Sequence, residues 1–121
     1  MALKEVNGKI YMYQGDTGHI IIGGFNPDIN YNVYLQISDE DGNFIGNQIT
    51  QATAGSDTVR LYINKALSDQ LTVPEGDDYA TYYIGVMKSE VGVFNEDTVI
   101  PDFGKKKPLI VFRKVVEGPA S

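Results

Sequence analysis

Apolar and polar residues alternate along most of this chain. In residues 31–38 the side chains that point one way are Tyr31, Val33, Leu35 and Ile37, and polar residues separate most of them. This period of two is typical of a strand with one buried and one exposed face. Further short apolar runs begin at Lys9, His19, Phe44, Thr58, Ala80 and Leu109. The pattern predicts about seven strands.

Clusters of Gly, Asn, Asp and Pro separate these runs, which favours an all-β fold, an antiparallel sandwich or a barrel. Asp41 and Gly42 supply the tight turn of a hairpin between the strand at 31–38 and the strand that begins at Phe44. The segment 64–71 predicts one short helical connector. We expect Asn64 to cap this helix, and its apolar side chains to face inward at Ala66, Leu67 and Leu71.

The predicted core combines the alternating apolar positions of all these strands. In the last strand both faces are apolar, so the choice of its buried face is open. The predicted core residues are Ile10, Val33, Leu35, Ile37, Val59, Leu61, Ile63, Ile84, Val86, Ile110 and Phe112.

Length and charge narrow the classes of function. With 121 residues the chain fits one domain, 1–121, in which residues 117–121 form a flexible carboxyl-terminal tail. The net charge of −6 argues against nucleic-acid binding, and three consecutive lysines at 105–107 are typical of a solvated turn. The sequence has neither a signal peptide nor a membrane-spanning run, so it predicts no membrane contact.

Candidate chemistry is sparse. The chain has no cysteine and a single histidine, His19, which begins an apolar strand. We therefore predict no catalytic residue, no cofactor and no metal site, and the protein is expected not to be an enzyme. The acidic loop 39–43 resembles a calcium loop only superficially, because the order of glycine and ligands differs. Weak calcium binding by the loops 39–43, 74–78 and 95–97 together stays open.

Tyrosines indicate a contact surface. Tyr34 lies on the polar side of its strand, and of the neighbours Tyr82 and Tyr83 one must face outward; we assign Tyr82 to the candidate interface. Exposed tyrosines suit protein contacts or sugar stacking, although they also commonly cover the edges of a sandwich. The last strand, apolar on both faces, is predicted to be an exposed edge that pairs with a partner. It adds Leu109, Val111, Arg113 and Val115 to the candidate interface.

Four motifs resemble a known family. They are a Gln-Gly-Asp turn at 13–18, an Asp-Gly hairpin at 38–46, a strand, short helix and strand at 59–86, and a closing loop and strand at 97–118. This order is similar to the amino-terminal immunoglobulin-like domain of phage baseplate upper proteins and related tail or head-fibre modules. The resemblance implies an immunoglobulin-like β-sandwich. It also implies that the turn carries the chain from one sheet to the other, with Gly15 and Gly18 in unusual backbone conformations and the side chain of Asp16 or Thr17 bonded to nearby backbone.

The resemblance further implies a function in assembly. The protein would be a bacteriophage virion structural module of a baseplate, tail or head fibre, made in the host cytoplasm and located in the virion. Its partners would be other virion proteins, with the chain present as a homo-oligomer or in many copies on a particle. Family members run on into fibre-forming or receptor-binding segments, whereas this sequence stops at Ser121, as expected of a free-standing adaptor. The alternative is a carbohydrate-binding module that recognises host-surface glycans.

Overall fold

The computed structural model describes residues 3–101 and 105–116, which form nine strands and one helix. In chain order the elements are β1 (Leu3–Val6), β2 (Lys9–Tyr13), β3 (Gly18–Gly23), β4 (Tyr31–Ser38), β5 (Phe44–Ala52), β6 (Thr58–Ile63), α1 (Lys65–Gln70), β7 (Tyr79–Glu90), β8 (Asp97–Ile100) and β9 (Lys107–Phe112). The seven predicted strands are all present. The short strands β1 and β8, of four residues each, are additional.

The strands form two sheets of unequal size that pack face to face. The large sheet has the order β1-β2-β9-β7-β4-β5, and β8 also pairs with β7, whereas the small sheet contains β3 and β6. The long strand β7 pairs with β4 along one edge. Along its other edge the first half of β7 pairs with β9 and the second half pairs with β8. Among the described strands, all pairings are antiparallel except that of β2 with β9, which is parallel. The predicted all-β sandwich is therefore confirmed.

Alternating side chains from both sheets form the core. Among the buried residues are nine of those predicted, namely Ile10, Val33, Leu35, Ile37, Val59, Leu61, Ile63, Ile84 and Val86. The prediction chose the wrong face of β9, because Leu109 and Val111 are completely buried while Ile110 and Phe112 are half-buried on the opposite face.

The prediction that the last strand is an exposed edge is also wrong. β9 lies inside the large sheet, between β2 and β7. The strand is apolar on both faces because both are covered. One face lies against the core, and aromatic rings from the two neighbouring strands cover the outer face. Because Leu109 and Val111 are buried, neither can contact a partner as the candidate interface required.

Two residues after β9, Arg113 and Val115, were assigned to the candidate interface, and the structure places them in different surroundings. Arg113 holds the loop before β7 to the end of β9: its Nε donates to the carbonyl oxygen of Asp77 at 3.0 Å, and its Nη2 donates to the carbonyls of Asp77 and Pro74. The guanidinium is thus engaged within the fold. Val115 is 78% exposed and stays a candidate for contact. The predicted tail 117–121 lies outside the described residues.

The helix forms where it was predicted. The side chain of Asn64 caps it by accepting a 2.9 Å hydrogen bond from the main-chain N–H of Leu67. Leu67 and Leu71 are buried as expected, but Ala66 is exposed, and Ser68 is the helix residue that is completely buried in its place. In the described residues, no helix has the length and apolarity that crossing a membrane requires.

The turn at residues 13–18 carries the chain from β2 in the large sheet to β3 in the small sheet, as the resemblance implied. Gly15 has a φ of 87°, a left-handed conformation that glycine adopts without strain. Gly18 instead belongs to β3 and pairs with Ile63, so its expected turn conformation is wrong. The hydrogen bond at Asp16 comes from its main chain, whose N–H donates to Tyr13 O at 3.1 Å.

Candidate functional site

The outer face of the large sheet is aromatic. Successive side chains of a strand point to opposite faces of the sheet, so the residue after a buried one points outward. Ile10 and Met12 are buried, so Tyr11 and Tyr13 between and after them point away from the core. The same rule applies in β4, β7 and β9. We call the resulting surface the aromatic face; its residues are Tyr11, Tyr13, Tyr34, Tyr79, Tyr83 and Phe112.

Three of these rings form a row across neighbouring strands. Phe112 on β9 is in register with Tyr13 on β2 and with Tyr79 on β7. The ring centroids of Phe112 and Tyr13 are 5.7 Å apart, and those of Phe112 and Tyr79 are 5.9 Å apart. Tyr13 and Tyr79 are 46% and 52% exposed, so the half-buried phenylalanine is flanked by two accessible phenol rings. Tyr11 stacks on the same phenylalanine at 6.2 Å.

The structure corrects the choice between the two adjacent tyrosines. Tyr82 is 6% exposed, and its hydroxyl donates a 2.5 Å hydrogen bond to the carbonyl oxygen of Thr72, so it is a core residue and not part of an interface. Tyr83 faces outward, half-buried, with the ammonium of Lys106 4.8 Å from its ring centroid. Tyr34 is half-buried on the same outer face, as predicted, opposite Met87.

An acidic groove borders this face at the end where β7 begins. Its volume is about 650 Å³. The β4–β5 hairpin, the loop before β7 and the start of β7, including Tyr79, line it. The acidic residues that line it are Asp39, Glu40, Asp41, Asp77 and Asp78.

Within this groove Asp39 organises the predicted hairpin turn. Its Oδ1 accepts hydrogen bonds from the main-chain N–H groups of Asp41 and Asn43, each at 2.9 Å. Gly42 takes a φ of 86° at the turn. The N–H of Asn43 is the main reason why the pKa of Asp39 lies below its ordinary value, and the Asn43 amide and the N–H groups of Asp41 and Gly42 lower this pKa further.

The three acidic loops do not converge. The loops 39–43 and 74–78 meet at the groove, but the loop 95–97 lies near the opposite end of β7. Within residues 3–101 and 105–116, no three His, Cys, Asp or Glu side chains are grouped as metal ligands. His19 is exposed, and its ring packs at a tilt of 44° against that of Tyr62, with the centroids 4.9 Å apart.

Sequence reasoning missed most of the aromatic face. Its outward assignment of Tyr34 agrees with the structure. It overlooked Tyr13 and Tyr79, and it placed Phe112 in the core. The signal was present in β2, where the alternation that buries Ile10 also places Tyr13 on the outside. Only the parallel pairing of β2 with β9 brings the tyrosine beside Phe112, and that pairing joins opposite ends of the chain.

The topology defines an immunoglobulin-like β-sandwich. No protein-family model and no curated protein sequence matches the chain. Among solved structures it is similar to the periplasmic chaperone SfaE, with a TM-score of 0.59 and 13% identity. The match covers 93% of this chain and 57% of the chaperone chain, so this chain spans little more than half of that protein. At this identity the similarity shows the fold alone.

Proposed function

We propose that this protein is a non-enzymatic structural module of a bacteriophage virion, a baseplate, tail or head-fibre component that acts by protein–protein assembly. The observation that carries the assembly function is the row of Tyr13, Phe112 and Tyr79 on the outer face of the large sheet. Tyrosine and phenylalanine are enriched in protein interfaces, where their rings give a large contact area with little loss of conformational entropy.

The orientation of the rings favours a protein partner. The ring of Phe112 is tilted by 43° from that of Tyr13 and by 55° from that of Tyr79. Because the central ring is tilted against both of its neighbours, the row presents an uneven surface against which a partner's side chains can pack. A flat array of coplanar rings, suited to the face of a sugar chain, would have a different geometry. The virion setting rests on the resemblance of the motifs at 13–18, 38–46, 59–86 and 97–118.

The test begins with the natural particle. Phage particles from a lysate of the host that carries this sequence are purified by density gradient, and their proteins are identified by mass spectrometry. We expect peptides of this chain at a fixed stoichiometry to the other particle proteins. Absence of the chain from particles that contain all other structural proteins would refute the virion assignment.

Variants then test the surface. We expect Tyr13→Ala and Tyr79→Ala each to weaken binding to particles that lack the protein by about tenfold or more, since exposed aromatic anchors commonly contribute that much. Tyr62→Ala is the matched control, because Tyr62 is also 46% exposed but lies on the small sheet. Equal binding by all three variants would exclude the aromatic face as the contact.

A second candidate is a carbohydrate-binding module. The observation that favours it is that Tyr79 lines the same groove as five acidic residues. An aromatic ring can stack on a sugar while neighbouring carboxylates accept hydrogen bonds from its hydroxyl groups. Isothermal titration with host-surface glycans tests it. Binding that Asp77→Asn and Tyr79→Ala both abolish, by a protein that does not join particles, would favour this candidate.

A further inference from the structure

The outer face of the large sheet differs in charge from the rest of the protein. The chain has a net charge of −6. Among the described residues of the large-sheet strands, however, the charged side chains at outward positions are those of Lys4 and Lys9. The carboxylates of these strands occupy positions that alternation assigns to the opposite face; they are Glu5, Glu90 and Asp97. The aromatic face therefore has a positive charge at the β1 side of an acidic protein.

Lys4 begins a row of residues that crosses this face. It is opposite Tyr11 on β2, and Tyr11 is opposite Ile110 on β9. Ile110 is in turn opposite Thr81 on β7. Lys4, which is exposed, thus lies level with Thr81 and three strands away from it.

The other end of this row is acidic. Thr81 and Tyr79 of β7 line the acidic groove together with Glu40 and Asp41 of the β4–β5 hairpin. The hairpin follows Ser38, the last residue of β4, which pairs with β7. From β1 to β4 there are four intervals between neighbouring strands, which span about 19 Å at about 4.8 Å each. A lysine and an acidic hairpin therefore lie at opposite sides of the aromatic face.

The middle strand of this arrangement is β9. In the order β1-β2-β9-β7-β4 it has two strands on each side. Its Phe112 lies between Tyr13 on β2 and Tyr79 on β7, in register with both. A two-fold axis through Phe112 and parallel to the strands would therefore bring Tyr13 of one copy onto Tyr79 of the other. The same axis would bring Lys4 of each copy onto the acidic hairpin of the other.

This charge pattern favours a second copy as the partner. A uniformly acidic partner would be repelled by the hairpin, and a uniformly basic partner would be repelled by Lys4. We infer that two copies of this chain form a symmetric dimer through their aromatic faces, with Phe112 near the two-fold axis and Lys4 of each copy facing Glu40 of the other.

The packing of two such sheets is an ordinary one. Sheets that pack face to face keep their strand directions within about 30° of each other, and a two-fold axis along the strands preserves that direction. Because twisted sheets diverge away from their contact, the row of Tyr13, Phe112 and Tyr79 forms its centre. Lys9 lies four residues from Tyr13, about 13 Å along the strand and away from this centre. The dimer covers the two phenol rings that are 46% and 52% exposed in the single chain.

This inference rests on the proposed assembly function and deepens it, because it names a second copy as the partner of the aromatic face. The pair is then the unit that joins the particle. Tyr13→Ala and Tyr79→Ala would lower particle binding by separating the pair, since two linked copies bind with an avidity that one copy lacks.

The first test is the oligomeric state of the full chain by sedimentation velocity. We expect a reversible dimer with a dissociation constant of about 10–100 μM, and association at least about tenfold weaker for Tyr13→Ala and for Lys4→Glu. Tyr62→Ala and Lys65→Glu are the matched controls, because they make the same changes at exposed residues of the small sheet and of α1. Both controls should dimerise as the wild type does. Circular dichroism and denaturant midpoints confirm that each variant is folded.

A charge exchange gives the sharpest test. Lys4→Glu and Glu40→Lys should each be monomeric alone, since each homodimer would place like charges opposite each other twice. In a mixture of the two variants both contacts join a glutamate to a lysine, so heterodimers should appear with about the affinity of the wild type. The double variant Lys4→Glu/Glu40→Lys should dimerise again for the same reason.

Salt and concentration complete the test. Raising the salt from about 0.05 M to about 0.5 M should weaken the wild-type dimer, because the paired charges are screened. A wild-type chain that is monomeric at about 1 mM would refute the inference. So would a dimer that Tyr13→Ala and Lys4→Glu both leave unchanged, or a mixture of the two charge variants that stays monomeric.

The same measurements separate this inference from the proposed function. If the wild type is monomeric but still joins particles through Tyr13 and Tyr79, another virion protein covers the aromatic face, the dimer is refuted and the assembly function stands. If the wild type dimerises as predicted but is absent from purified particles, the dimer stands and the virion assignment is refuted.

Discussion

The main-chain N–H of Gly15 donates a 2.8 Å hydrogen bond to Oγ of Ser68, which lies 53 positions further along the chain. The serine is completely buried in helix α1, and the glycine is at the point where the chain passes from the large sheet to the small sheet. The bond therefore attaches the crossing turn to the helix that connects β6 with β7. Neither residue has a strong sequence signal for this partnership.

Replacing Ser68 with alanine should lower the free energy of unfolding by about 1–2 kcal/mol. The change leaves the N–H of Gly15 without its acceptor, and the higher helix propensity of alanine offsets a part of this loss. Urea denaturation measures the difference. Asp69→Ala, which removes only an exposed ion pair with Lys65, should change stability by less than about 0.5 kcal/mol. Equal stabilities of wild type and Ser68→Ala would contradict the role of this bond.

Tyr82→Phe and Tyr83→Phe remove the same atom from adjacent residues with different surroundings. We expect Tyr82→Phe to cost about 1–2 kcal/mol, since its hydroxyl bonds to the Thr72 carbonyl next to the core. Tyr83 lies on the outer face, so Tyr83→Phe should be nearly neutral. Denaturant midpoints of the two variants, compared with that of the wild type, measure these losses of stability. A larger loss for Tyr83→Phe would reverse the assignment of inside and outside on β7.

Gly46→Ala should be more damaging than Gly42→Ala. Both glycines have positive φ, at 69° and 86°, so each substitution introduces backbone strain of about 1 kcal/mol. At Gly46 the added Cβ would also lie 2.5 Å from Cδ1 of the buried Leu67, whereas nothing lies within 4 Å at Gly42. We expect a total loss of about 2–4 kcal/mol for Gly46→Ala by chemical denaturation.

A double-mutant cycle isolates the contact between β5 and the helix. In the background of Leu67→Ala, which removes the clashing methyl group, Gly46→Ala should cost only the backbone strain, about 1 kcal/mol. An unchanged cost in this background would mean that the strain alone limits the residue at position 46.

The hairpin at Asp39 should make stability depend on pH in the acid range. The pKa of Asp39 in the folded chain is lowered from 3.8, because its carboxylate accepts hydrogen bonds from main-chain N–H groups, first among them that of Asn43. The unfolded chain therefore binds this proton first as the pH falls, so the contribution is complete above pH 3.8 and is lost as the pH falls through the lower folded value. Denaturation of wild type and Asp39→Asn across this range should give curves that converge at the acid end. A difference that does not change with pH would contradict this.

Local pattern was enough to predict most elements of the fold but not their neighbours. The alternation in 31–38 and the Asn64 cap identified β4 and α1 because both signals lie within a few residues. The place of β9 depends on β2 and β7, whose pairing no local pattern reveals. A strand that is apolar on both faces is equally consistent with an edge that needs a partner and with a strand inside a sheet.

The candidate site was predicted less well, for a related reason. Alternation states that Tyr82 and Tyr83 face opposite ways, but the inward one is fixed by the Thr72 carbonyl, which only the folded chain brings into reach. Arg113 was assigned to an interface as part of the supposed edge strand, whereas its guanidinium bonds to the carbonyl of Asp77. The sequence therefore predicted exposed tyrosines on the outer face of the sandwich, but it could not assign each residue to the inner or the outer face.

The parallel pairing of β2 with β9 also has a consequence for synthesis on the ribosome. Ile10 is opposite Leu109, so about one hundred further residues must be made before β2 has its second neighbour, β9. At about 5–20 residues per second, translation leaves that edge of β2 unpaired for roughly 5–20 s. A nascent chain arrested before Lys107 exposes the unpaired edges of both β2 and β7. Such incomplete chains are the form of this protein that a cell's chaperones and proteases would be expected to recognise.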